Sequence, residues 1–150
     1  MNTSYTGFPS FRVLAASVLA TAAATVGLAA PAQADPRVYT TTVTIENQTS
    51  ELFELVSQST SEGVIDEYLK SKLPAYRSDW LKASADVDQG GTKGKVKYTA
   101  ENGGYVIVTW NGPYDETAEY DCHVPDGLTC TWDANDDYEA EVTFTITPDE

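Results

Sequence analysis

"YEAEVTFTIT" runs from Tyr138 to Thr147. In an extended chain Tyr138, Ala140, Val142, Phe144 and Ile146 fall on one side, and Glu139, Glu141 and three threonines on the other. Successive side chains of a strand point to opposite faces, so this is a strand with one apolar and one wet face. The valine and threonine side chains are crowded at χ1 in a helix and fit a pleated surface well. The same alternation opens the chain's other end in "RVYTTTVTIEN" (37–47), where Tyr39, Val43 and Ile45 share a face. "KGKVKYTA" (93–100) turns Val96 and Tyr98 inward and Lys93, Lys95 and Lys97 outward.

Further strands follow the same logic. "ELFELVSQST" (51–60) comes after a turn at Asn47-Gln48-Thr49-Ser50. "GYVIVTW" (104–110) is apolar on both faces and predicts a central strand. Another strand is expected around Trp80 to Ala85. The acidic face of 138–147 is expected beside a lysine-bearing strand. One segment differs: "EGVIDEYLKSKL" (62–73) places Val64, Ile65, Tyr68, Leu69 and Leu73 at helical spacing, and Pro74 would stop the helix. The sum is an all-β protein, an antiparallel β-sandwich of about seven or more strands with one short helix.

The first 34 residues carry one charge, Arg12, then the weakly apolar "VLAASVLATAAATVGLAA" and Ala32-Gln33-Ala34, a small-x-small cleavage signal. Residues 1–34 therefore read as a signal peptide, residues 35–150 as a single sandwich domain, and the protein as secreted and extracellular. The chain has 9 basic and 23 acidic residues, a net charge of −14. Every acidic residue and all basic residues but Arg12 lie after residue 34, and no basic residue follows Lys97. Such a surface repels phosphate backbones and anionic headgroups, which excludes nucleic acid and leaves neutral lipids as the membrane partner. Cys122 and Cys130 are the only cysteines. In an exported chain they are expected to pair, here as the staple of a hairpin made of "AEYDCHV" (118–124) and "LTCTWDA" (128–134) around Pro125-Asp126-Gly127.

Catalytic machinery is hard to find. His123 is the sole histidine, and the sequence has no Gly-x-Ser-x-Gly elbow, phosphate loop or zinc set. The chain reads as a non-enzyme that needs no cofactor. "DANDDYEAE" (133–141) begins like a calcium loop, but Tyr138 stands where glycine belongs and Phe144 where the bidentate glutamate belongs. Only a looser carboxylate site would remain there, with Asp133, Asp137 and Glu139 as weak candidates. The aromatics carry more. Residues 35–150 hold Trp80, Trp110 and Trp132 with eight tyrosines and two phenylalanines. Tyr and Trp over Phe is the balance of surfaces where one end of the ring is wet. In "VTWNGPY" (108–114) a strand ends at Trp110, turns through Asn111-Gly112-Pro113 and presents Tyr114.

From "GGTKGKVKY" (90–98) to "VTWNGPY" (108–114) the sequence resembles the aegerolysins, small acidic β-sandwich proteins that bind membrane lipids and whose bacterial relatives include insecticidal crystal proteins. The shared pattern is Gly91-Thr92-Lys93-Gly94 before one strand and Trp110-Asn111-Gly112-Pro113 at the end of the next. The opening "VTIENQTSELFEL" (43–55) and the closing "VTFTI" (142–146) match the family layout. The resemblance implies recognition of neutral sphingolipid- or sterol-containing bilayers, with a second protein wherever a pore is made. It makes Trp110 and Tyr114 interfacial anchors; Asn111 and Trp132 are named beside them as candidate contact residues. The function expected is membrane-lipid binding by a secreted sandwich, as a component of a pore-forming or cytolytic toxin. The alternative is a secreted protein- or carbohydrate-binding module with no membrane role.

Overall fold

The alternation of apolar and polar residues is carried into ten strands in a computed structural model that describes residues 38–114, 116–135 and 137–149. They are β1 (Val38–Asn47), β2 (Phe53–Glu62), β3 (Val64–Glu67), β4 (Lys72–Leu73), β5 (Arg77–Asp86), β6 (Gly91–Ala100), β7 (Tyr105–Pro113), β8 (Glu119–His123), β9 (Leu128–Asn135) and β10 (Glu139–Pro148). A 3-10 turn, Val87–Gln89, joins β5 to β6. The expected signal segment, 1–34, lies outside the described residues.

Two five-stranded sheets form, ordered β3-β5-β1-β10-β9 and β4-β2-β6-β7-β8. Neighbours are antiparallel except β1 and β10, which pair in parallel from Thr40 opposite Glu139 to Asn47 opposite Ile146. The chain's first and last strands thus lie side by side in the middle of one sheet. Ala140, Val142, Phe144 and Ile146 of β10 are all buried, as are Val43 and Ile45 of β1. All of these but Ala140 pack into one core with Phe53, Val96, Tyr98, Val106, Val108 and Trp110 of the second sheet. Burying a side chain of this size stabilises by about 1.5–3 kcal/mol. Buried polar links cross between the sheets: Thr41 and Thr92, both fully buried, share a hydrogen bond between their hydroxyls, and Asn47 Nδ2 donates to Leu73 O (3.4 Å).

Three expectations are corrected. The segment 62–73 is not a helix but the short edge strands β3 and β4. Ile65, Leu69 and Leu73 are buried while Val64 and Tyr68 are exposed. A spacing of four satisfies a period of two as well as one of 3.6, and pairing of β3 with the edge of β5 decides for the strand. The segments holding the cysteines do not pair as a hairpin. β8 belongs to one sheet and β9 to the other, so the Cys122–Cys130 bond, with Cα atoms 6.2 Å apart, ties the two sheets across their open side. β7 lies inside its sheet as expected, flanked by β6 and β8, with Tyr105 at its start exposed. Finally, the acidic face of β10 meets no lysine strand: Glu139 and Glu141 stand opposite Thr40 and Thr42.

Candidate functional site

β7 sets the geometry of the aromatic turn. Val106, Val108, Trp110 and Gly112 point inward, alternating with outward Ile107, Thr109 and Asn111. Trp110 faces Gly94 of β6 across the ladder. A Cβ on Gly94 would come within 2.3 Å of Trp110 Cζ2, so only glycine lets the indole lie across β6. Trp110 is 1% exposed, and its Nε1 has no hydrogen-bond partner. The expectation that Trp110 is a rim anchor is therefore corrected. The strand's inward parity claims the ring for the core before the turn begins.

Tyr114 behaves differently. Its backbone N–H donates to Gly90 O (3.0 Å), which pins the residue after Pro113 to the turn that opens β6. The half-buried Tyr114 ring packs on Tyr138, centroids 5.8 Å apart and planes inclined by 49°. Tyr138, 55% exposed, is brought there by the parallel β1–β10 pairing: Thr40 N–H donates to Tyr138 O (3.0 Å), and Tyr39 precedes Thr40 on β1. Tyr39, Tyr114 and Tyr138 line a cleft of about 260 Å³ at this end of the sandwich, together with Pro113, Ala118, Glu116 and Asp137. Among the described residues no basic side chain lines it.

The other expected site residues separate. Asn111 sits on the outer face of the second sheet, between Lys93 of β6 and Glu119 of β8. It lines a shallow groove of about 430 Å³ with Lys93, Lys95, Thr109, Glu119 and Asp121. Lys95, Thr109 and Asp121 form one cross-strand row, and Lys93, Asn111 and Glu119 the next. Two strand spacings put each lysine roughly 9.5 Å from its carboxylate partner in backbone terms. The sole ion pair among the described residues is Lys72–Glu54 (2.9 Å), so the charges of this groove are not paired with one another. Trp132, 49% exposed, stacks on Phe144, with centroids 6.4 Å apart, at the open side between β8 and β9. Phe144 lies six residues along β10 from Tyr138, roughly 20 Å of strand, so Trp132 is not part of the tyrosine cleft. Asp133, opposite Thr143, does not join the other two; Asp137 and Glu139 line a common open pocket beside Tyr138, and Asp137 also lines the cleft. Among the described residues no three His, Cys, Asp or Glu side chains group as metal ligands.

Of the expected site residues, Tyr114 lines this cleft, and the sequence reading did not join it to Tyr39 and Tyr138. Tyr39 and Tyr138 were legible only as members of apolar strand faces. The signal available was that each is the terminal aromatic of its face.

No family model and no curated protein matches the sequence. Solved structures do match the fold. The lipid binding protein Nakanori aligns with a TM-score of 0.66 at 8% identity, over 73% of this chain and 71% of its own. The RahU protein, in complex with a Tris molecule, aligns with a TM-score of 0.60 at 13% identity, over 75% and 96%. IP-1A from Alcaligenes faecalis aligns with a TM-score of 0.58 at 12% identity, over 76% and 95%. The fold is therefore one shared with a lipid-binding β-protein. The resemblance to aegerolysins has no family model behind it.

Proposed function

We propose that this chain is a secreted protein that binds membrane surfaces made of net-neutral lipids through the tyrosine-lined end of its sandwich. The observation that carries the reading is the cleft of Tyr39, Tyr114 and Tyr138, two of whose rings are packed together and reach solvent, with no basic side chain lining it among the described residues. Tyrosine rings suit the headgroup region because one end is apolar and the other hydrogen-bonds water. The net charge of −14 disfavours anionic bilayers. The fold shared with a lipid binding protein supports the reading. Cys122–Cys130 is the kind of bond that persists in oxidising compartments, which supports export.

The test is co-sedimentation with vesicles of neutral phospholipid, with and without sphingolipid and sterol, against vesicles of anionic lipid. Binding to the neutral set, weakened about tenfold by Tyr114→Ala with Tyr138→Ala in a chain that still melts cooperatively, is the expected result. A chain that stays in the supernatant with every composition would refute it. The toxin role follows from the aegerolysin resemblance and takes this form: alone, the chain binds without releasing trapped dye, and a second protein completes any pore.

The groove over Lys93, Lys95, Glu119 and Asp121 favours a second reading, a protein- or carbohydrate-binding module. A glycan-array signal abolished by Asn111→Ala and unaffected by Tyr138→Ala would select it. No catalytic role is proposed for His123, an exposed residue of β8, and none for a cofactor.

A further inference from the structure

We infer that the groove on the outer face of the second sheet is a binding site for a short zwitterionic peptide, with the peptide's carboxylate over Lys93 and Lys95 and its ammonium over Glu119 and Asp121. The inference rests on the second reading above, narrows it from protein or sugar to peptide, and is independent of the tyrosine end.

Strand parity builds the groove. Lys93 and Lys95 point outward from β6, Thr109 and Asn111 from β7, and Glu119 and Asp121 from β8. The ladder aligns them in two rows, Lys95-Thr109-Asp121 and Lys93-Asn111-Glu119. One wall is therefore cationic, the floor neutral and the other wall anionic. The next row breaks the pattern. Lys97 Nζ lies over the Tyr105 ring, 3.5 Å from its centroid, Ile107 takes the floor, and His123 stands where a carboxylate would. The polarised surface is thus confined to two rows, roughly 7 Å along the strands. Its volume of about 430 Å³ falls within the roughly 300–1,000 Å³ of sites that take small molecules.

The two walls do not neutralise each other. The sole ion pair among the described residues is Lys72–Glu54, and two strand spacings, roughly 9.5 Å, separate β6 from β8. A ligand of one sign would be attracted by one wall and repelled by the other. A dipolar ligand is attracted by both, provided its charges stand that far apart. A single amino acid is too short. An extended chain of three residues spans at most about 10–11 Å, which sets its ammonium over one wall while its carboxylate lies over the other. Hydrogen bonds with a charged partner at both ends are the stronger class. The peptide groups between them lie over the floor, where the Asn111 amide offers two donors and an acceptor to a peptide C=O and N–H. A neutral sugar makes no use of walls of opposite sign, and the aromatic rings of the groove are not open for stacking. Trp110 is sealed beneath Gly94, and Tyr120 turns inward onto Phe144, centroids 6.4 Å apart.

The test is an NMR titration of the protein with triglycine, read at the Asn111 side-chain amide and the backbone amides of β6 to β8. N-acetyl-triglycine, triglycine amide and the doubly blocked peptide remove one charge or both, and glycine lacks the length. Triglycine should shift these amides saturably. Each singly blocked peptide should bind about fivefold more weakly, and glycine about tenfold. Lys93→Gln with Lys95→Gln removes one wall, and Glu119→Gln with Asp121→Asn the other. In the lysine variant triglycine and its amide should bind alike; in the carboxylate variant triglycine and its acetylated form should bind alike. Loss of folding would not produce that pairing. Tyr138→Ala, in the tyrosine cleft, should leave the titration unchanged. If the doubly blocked peptide shifts the same amides as strongly as triglycine, or if no peptide shifts them, the zwitterion site is overturned. A glycan-array signal abolished by Asn111→Ala, beside a silent triglycine titration, would overturn the peptide ligand and keep the groove as a sugar site. If both are silent, this inference and the second reading fall together.

Discussion

Two buried aromatics carry orphaned polar atoms, Trp110 Nε1 and Tyr98 Oη, and each makes a residue-scale prediction. Gly94→Ala drives a Cβ against the Trp110 ring and to within 2.7 Å of the backbone oxygen of Ser59, with no flexible end to yield. Overpacking of this type costs typically 1–3 kcal/mol, whereas Trp110→Ala, which empties the same space, costs about 3–5 kcal/mol. Because the two residues touch, the double variant should lose less than the sum of the singles, read by denaturant melts. A Trp110→Ala chain that binds weakly would thus report unfolding, not a lost contact. For Tyr98, burial and then the nearby Asp79 charge raise the phenol well above its ordinary value of 10.0. The unfolded chain releases that proton near pH 10 while the folded chain keeps it. Tyr98 therefore leaves stability intact below that pH and lowers it by up to about 1.4 kcal/mol per unit above it. Tyr98→Phe removes both the orphaned hydroxyl and this proton. It should stabilise by about 1 kcal/mol at neutral pH and flatten the alkaline limb of the stability curve. An unchanged alkaline limb in Tyr98→Phe would count against this account. The inward parity of Tyr98 was legible in "KGKVKYTA". That of Trp110 was hidden because "GYVIVTW" is apolar on both faces, and its neighbours do not say which face is buried.

Among the elements, alternation sufficed wherever one face was wet, as in β1, β6 and β10, and failed where period or pairing was ambiguous. Residues 62–73 satisfy both a helical and a strand period, and only the free edge of β5 decided between them. The cysteine segments were read as one hairpin because a Pro-Asp-Gly turn joins them, yet β8 and β9 pair with β7 and β10 instead. That partition changes what the disulfide does. It does not staple a ladder that hydrogen bonds already hold; it closes the side where two edge strands face each other without pairing. The loop spans a sequence separation of 8, for which chain entropy gives about 2–3 kcal/mol. Replacing Cys122 and Cys130 together with serine should lower stability by that amount in melts. The loss should appear locally first, as faster amide exchange in β8 and β9 than in β1 or β6. Uniform acceleration across all strands would mean that the bond supports the whole sandwich and not its open side.

At the scale of the whole molecule the charge separates mechanisms that the contacts alone do not. Basic proteins hold membranes by attraction to anionic lipids, and salt weakens them. This chain carries −14, and no basic residue follows Lys97, so its long-range field opposes any anionic bilayer. Under the proposed function the adhesion is short in range: tyrosine rings at one end of the sandwich would meet the headgroup layer. Opposite salt responses follow. On vesicles that mix neutral and anionic lipid, raising salt from about 10 to 150 mM shortens the screening length from about 30 to 8 Å and should strengthen binding. On purely neutral vesicles the same change should leave binding nearly constant. The charge was legible in the composition, but its consequence was not, because it depends on where the rings are. Only the parallel pairing of the first and last strands places Tyr39 and Tyr138 together, at the same end as Tyr114. Vesicle pelleting over a salt series decides the matter. Binding to mixed vesicles that falls as salt rises would show that a positive patch, not the tyrosine end, makes first contact.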